Sequence, residues 1–220
     1  MRKFFSNNGL TVVLLALFLI SIVGQWLTGW AYHNEELARH GGEAIGPIAF
    51  LGDPQFLATV FENWESEFLQ MSAFVMLTAI LVQKGAAESK KPDDGARDDD
   101  LGAKAHRPGA PRILMVGPVA RWVYSRSLGI TLFILFLISF LLHWWNSANE
   151  AAGEARQHGE RAMERLQYFG DAQFWFESFQ NWQSEFLATA VLIVLSIWLR
   201  QRESPESKPV AAPHAQTGTE

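Results

Sequence analysis

The chain has 220 residues, no cysteine, and 18 Lys and Arg against 23 Asp and Glu, for a formal net charge of −5. Without cysteine, disulfides, thiol chemistry and cysteine-ligated iron–sulfur clusters are excluded. An acidic chain with no basic stripe is not built to follow a nucleic-acid backbone.

Apolar residues make up 49% of the sequence, with 16 Phe and 9 Trp, and they gather into four blocks. The first, Leu10–Trp26, reads "LTVVLLALFLISIVGQW". It is apolar all round, as a helix in lipid is, whereas a helix on a soluble core alternates its faces. About 20 apolar residues span a bilayer as a helix. This block comes close, and its tryptophan sits where an interfacial belt places one. A polar loop follows over 27–60. The second block, Phe68–Val82, is short, and spans only if its helix starts earlier, inside the phrase "NWESE". The segment "AAESKKPDDGARDDDLGAKAHRPGAPR" is rich in Pro, Gly and mixed charge and reads as a disordered tether. The third block, Leu128–Trp145, resembles the first in length, and a second polar loop covers 146–178. The fourth, Phe186–Leu199, is as short as the second. The tail "ESPESKPVAAPHAQTGTE" is expected to be solvated and disordered; Ser204 and Ser207 in it are modification candidates at most.

Self-comparison relates these blocks. A gapless shift of 118 residues lays Leu10–Lys90 on Leu128–Lys208, with roughly 29 of 81 positions identical. "FENWESEFL" from Phe61 meets "FQNWQSEFL" from Phe179, His40-Gly41 meets His158-Gly159, and Glu88-Ser89-Lys90 meets Glu206-Ser207-Lys208. The duplication predicts an all-α membrane protein with four transmembrane helices, in two parallel two-helix repeats of the same orientation. The first repeat covers 1–91 and the second 119–203. A disordered charged linker covers 92–118, and a disordered tail 204–220. The first block has a counterpart in mid-chain, so it reads as a span rather than a cleaved leader. Of the 18 Lys and Arg, 14 fall in the N-terminus, the segment 84–126 and the tail. Both termini and the linker are therefore expected in the cytoplasm, and both repeat loops outside.

Two constellations could carry chemistry. In the doubled phrase, Asn63 and Glu67 lie four apart on one helix face, as do Asn181 and Glu185, with Ser66, Ser184, Trp64 and Trp182 beside them. One reading makes the phrase an interfacial anchor. The other brings Glu67 and Glu185 together as paired acids at a hydrocarbon edge, able to hold a cation or relay protons. Glu62 and Glu65 become Gln180 and Gln183 in the second copy, which ranks them lower. The second constellation is Glu36-x3-His40 with its copy Glu154-x3-His158. Two Glu and two His could ligate a metal. Equally, each His could close a short helix, with Gly as its left-handed cap. His143 aligns with Gln25 and so has no symmetric mate for haem, and no cofactor is expected. No phosphate loop or nucleophile elbow is visible.

The opening "MRKFFSNNGLTVVLLALFLISIVGQWLTGW", with "NEELARHG", "FENWESEFLQM" and "GAAESKKPD", resembles bacterial membrane proteins grouped as domain of unknown function 6766. The resemblance covers nearly the whole chain. It implies a multi-pass protein of the bacterial cytoplasmic membrane and brings no activity, ligand or catalytic residue. The function expected is non-enzymatic: a structural, interaction or ligand-binding protein. Its expected partners are the lipid bilayer and either a second copy or another membrane protein. The alternative is a small ion- or proton-coupled transporter or channel, working as an oligomer through Glu67 and Glu185.

Overall fold

The structure, a computed structural model, describes residues 2–91 and 100–218. Among the described residues it is all-helical, without strands. In chain order the elements are α1 (Arg2–Arg39), α2 (Pro47–Phe50), α3 (Pro54–Ile80), α4 (Leu101–Lys104), a 3-10 turn (Arg112–Met115), α5 (Pro118–Tyr124), α6 (Ser127–Gln157), α7 (Arg165–Tyr168) and α8 (Ala172–Ser196).

The long helices overrun the apolar blocks in both directions. α1 and α6 carry on past their tryptophans and end at the two His-Gly pairs. Gly41 and Gly159 take φ of +73° and +70°, the left-handed conformation a glycine adopts without a Cβ clash. Gly42 N–H then reaches back to the Leu37 carbonyl, and Glu160 N–H to that of Ala155, both at 2.7 Å. This is the same Schellman closure twice. The histidines thus end long helices, α1 with a kink at Asn8 and α6 of 31 residues, not the short separate helices expected.

α3 and α8 start well before the doubled phrase. The Asp53 carboxylate accepts from Gln55 N–H at 2.9 Å, and Asp171 accepts from Gln173 N–H at 2.8 Å. These satisfy orphan donors of the first turn. The phrase therefore lies mid-helix. Among the described residues two helices are long and apolar enough to cross a membrane, Asn7–Arg39 within α1 and α6 over Ser127–Gln157. α3 and α8 fall short because "NWESE" and "NWQSE" interrupt their apolar runs.

The chain divides into two compact units, Met1–Val60 with Leu142–Tyr168, and Phe61–Leu141 with Phe169–Glu220. In the first, the segment after α1 is tied back to it. Trp26 Nε1 donates to the Pro47 carbonyl and Trp30 Nε1 to that of Ile45, both at 2.7 Å. Asn34 pairs with both backbone groups of Ile45. These bonds lodge Phe50 between His33 and Phe56, at ring separations of 5.3 and 5.4 Å. Burying such a ring contributes about 1.5–3 kcal/mol relative to leaving it exposed. Gly29 leaves room for it: a Cβ there would meet Phe50 Cε1 at 3.2 Å. At the matching position of the second copy, Trp144 Nε1 donates to the Arg165 carbonyl at 3.1 Å.

In the second unit, Phe136, Phe140, Phe174, Trp175 and Trp182 form an aromatic cluster with Phe174 fully buried. Gly129 of α6 approaches α3 so closely that a Cβ would lie 3.2 Å from Met76 Cγ.

The tail differs from the disordered segment that its composition suggests. Its described part runs through successive turns, with Lys208 only 1% exposed. The Lys208 ammonium donates to the carbonyls of Gly85, His214 and Gln216 at 2.5, 2.9 and 3.0 Å. Gly218 N–H donates to the Ala86 carbonyl, and Gly85 N–H to Thr217 Oγ1, each at 2.9 Å. Polar composition conceals this because the anchoring uses backbone groups and polar side chains, Lys208 foremost, rather than apolar ones. Of the linker, 92–99 lies outside the described residues; 100–118 includes α4 and the 3-10 turn.

Candidate functional site

The doubled phrase is drawn together within the second unit, though not through the acids that repeat. Glu65 of α3 is fully buried and accepts from Trp182 Nε1 of α8 at 2.8 Å. Glu62 accepts from Asn181 Nδ2. The first copy's acids thus grip the second copy's Asn and Trp. Ser66 is buried and Asn63 exposed; Trp64 is half-buried and packs edge-on against Phe61. Trp182 meets Phe179 in the same way, and Ser184 is exposed. The two serines make matching bonds, Ser66 Oγ to the Asn63 carbonyl at 2.9 Å and Ser184 Oγ to that of Asn181 at 2.8 Å. Glu67 is exposed and Glu185 half-buried, and the two lie near enough for their charges to interact. Glu62 and Glu65, which self-comparison placed below them, both accept hydrogen bonds from α8.

The second constellation converges in the first unit. Glu36, His40, Glu154 and His158 line one polar cavity of about 340 Å³, with His33, Asp53, Gln55, Asn149 and Glu150. The His40 and His158 rings lie edge to face, 5.8 Å apart. A hydrogen-bonded chain stiffens one wall. His33 Nδ1 meets Gln55 Oε1 at 2.7 Å, Gln55 Nε2 donates to Glu36 Oε2 at 3.4 Å, and His33 Nε2 lies 3.9 Å from Asp53 Oδ2. Glu36 is half-buried and His40, Glu154 and His158 are exposed. Among the described residues no three His, Asp or Glu side chains form a group able to hold a metal ion. The pairing that spacing suggested is present as a shared cavity rather than as a ligand set.

Sequence reasoning missed a third feature, built from the repeated Glu-Ser-Lys. Ser89 Oγ accepts from Gln83 N–H and Ser207 Oγ from Gln201 N–H, each at 2.9 Å. Each serine then donates to the carbonyl of the lysine that follows, at 3.2 and 3.1 Å. These matching turns bring the Glu88 and Glu206 carboxyl groups into a hydrogen bond. Burial, then that bond and the charge of Glu206, push the Glu88 carboxyl up to about 7. The signal was in the sequence, since the triplet recurs in register with the repeat.

The chain belongs to the family described as Domain of unknown function (DUF6766), whose model matches residues 1–219. Nothing among the curated proteins and no solved structure matches it.

Proposed function

We propose that the chain is a multi-pass, non-enzymatic protein of the bacterial cytoplasmic membrane that binds a small polar ligand in the cavity of the first unit. The observation that carries the binding site is the meeting of both Glu-x3-His motifs, 118 positions apart, on one cavity. A surface that only capped two helices has no need to bring them together. The cavity's acids, Glu36, Asp53, Glu150 and Glu154, favour a cationic solute, and its imidazoles and amides supply further hydrogen bonds.

Membrane residence is supported by apolar side chains that α1 leaves uncovered, among them Leu10 at 75% and Ile20 at 69% exposure. Lipid covers such a helix where protein does not. In this reading α3 and α8 complete four spans. Their mid-helix polar groups are offset by hydrogen bonds between the helices, such as Trp182 to Glu65 and Gln70 to Thr189. The recurrence of helix caps, indole bonds and serine turns at matched positions supports two repeats of one orientation. Loops then lie outside, and termini and linker inside. Partners on this reading are the bilayer and a second copy or another membrane protein.

Thermal unfolding of the purified chain, followed by tryptophan fluorescence, tests the binding site against a panel of cationic, anionic and neutral polar solutes and divalent cations. A stabilisation by cations that is lost in Glu36→Gln/Glu154→Gln supports the reading. No stabilisation by any solute, or one that survives the double substitution, contradicts it.

The nearness of Glu67 and Glu185 favours a second reading, an oligomeric ion or proton path. Flux in reconstituted vesicles that Glu67→Gln/Glu185→Gln abolishes supports it; unchanged flux rejects it.

A further inference from the structure

The second unit holds a cavity of about 310 Å³ between α3 and α8, unlike the polar one in its lining. Its walls are apolar, with Phe74, Leu77, Leu81, Phe186 and Ile193 among them. Along α3 the lining runs from Gln70 to Thr78, about 12 Å at the rise of an α-helix, and continues past its end through Leu81 and Val82. Gln70 Nε2 donates to Thr189 Oγ1 at 2.7 Å across the start of this stretch. Polar groups join the lining beyond Val82, with Gln83, Glu88 and Ser89. Glu88 brings Glu206 with it, through the hydrogen bond between their carboxyl groups.

We propose that this cavity binds a lipophilic monovalent cation, an aryl- or alkylammonium, with its apolar body between α3 and α8 and its charge on the Glu88–Glu206 pair. The volume is at the small end of the roughly 300–1,000 Å³ usual for small-molecule sites, and the elongated lining suits a narrow apolar body.

Charge complementarity selects the occupant. A lipid tail fits the walls, but its headgroup phosphate would be set against two carboxyl groups. A cation relieves their mutual repulsion. Three cationic groups on the neighbouring turns, Lys90, Lys208 and Arg200, are engaged by backbone carbonyls. Lys90 Nζ donates to the Ala79 carbonyl at 2.7 Å and Lys208 to three carbonyls. Arg200 donates to the carbonyls of Ser196, Ile197, Leu199 and Ala212. The charge acting on Glu88 is that of Glu206.

When the cation arrives, the proton held on Glu88 leaves to solvent, and the ammonium takes its place against the two oxygens. Binding is therefore coupled to proton release and tightens as pH rises through about 7.

Benzyltriethylammonium titrated into the full-length chain in detergent tests this, with butylbenzene as a neutral probe. The cation is expected to bind, and the neutral compound to bind more weakly. Glu88→Gln/Glu206→Gln keeps shape and hydrogen bonding and should weaken the cation roughly 10- to 100-fold. An unchanged affinity in that variant, a neutral probe that binds as tightly, or no binding of the cation overturns the proposal. Should the variant not fold, the unaltered chain decides. Affinity should fall by up to about tenfold per pH unit below the titration, and a flat profile between about pH 5.5 and 8.5 overturns the proposal.

Discussion

Lys208→Met keeps most of the aliphatic stem and removes the ammonium that anchors the tail. Three carbonyls, of Gly85, His214 and Gln216, lose a donor held at 2.5 to 3.0 Å. Hydrogen bonds to a charged group contribute about 1.5–3 kcal/mol each. Against that stands the cost of burying an ammonium, several kcal/mol even after relaxation. Burial, and then the charge of Arg200, push the Lys208 ammonium below the usual lysine range, which expresses that cost. The balance leaves about 2–4 kcal/mol, and the tail can swing out and give its carbonyls to water, so the loss falls on local opening. The opening constant should rise by about 30- to 700-fold at 1.4 kcal/mol per decade. Amide hydrogen exchange reads this directly. The N–H groups of Gly85 and Gly218, bonded to Thr217 and Ala86, should lose protection, while those of α1 and α6 keep it. If those two amides exchange freely in the unaltered chain, or keep their protection in the variant, the anchoring role of Lys208 is refuted.

Two further outcomes follow from the same geometry. Glu88 has a folded pKa above its ordinary value of 4.5, so its proton stabilises the docked tail at low pH. That stability is lost as pH rises from 4.5 through about 7. Exchange of the tail amides, corrected for its intrinsic pH dependence, should accelerate over that window and level off above it; a flat corrected rate contradicts the Glu88–Glu206 bond. At Glu65, Leu leaves the Trp182 indole N–H without its acceptor at a cost of about 1–3 kcal/mol, whereas Gln keeps an acceptor and costs less. Thermal unfolding in detergent should rank unaltered chain, Glu65→Gln and Glu65→Leu in falling stability, and equal stability of the Leu variant contradicts the contact.

What could be read from the sequence, and what could not, follows from the kind of interaction involved. Local backbone devices were legible because they depend on one or two residue types. A glycine after the last turn of α1 and α6 announces a left-handed cap, and the recurrence at Gly41 and Gly159 announces it twice. The convergence of Glu36, His40, Glu154 and His158 was foreseen as a possibility, through symmetry. Ranking the acids of the doubled phrase by recurrence did not announce the contacts of Glu62 and Glu65, and the reason is physical. Self-comparison finds what each copy needs by itself, but Glu62 and Glu65 act on Asn181 and Trp182 of the other copy. A contact between non-identical halves has no cause to be repeated. The tail was hidden by composition, since segments without apolar residues are expected to stay solvated. A buried lysine, Thr217, Arg200 and backbone hydrogen bonds hold it instead, and the sequence signal was the in-register Glu-Ser-Lys.

The central claim is that the chain crosses the membrane four times, with both repeat loops on one side and both tails on the other. Because the chain has no cysteine, single introduced cysteines report sidedness without background. Glu43→Cys and Glu160→Cys probe the two loops, and Asp100→Cys and Val210→Cys the linker and tail. With a membrane-impermeant maleimide on intact cells, the first pair should label and the second only after the membrane is opened. Labelling of Asp100→Cys or Val210→Cys from outside, or of one loop without the other, contradicts the four-span, same-orientation arrangement.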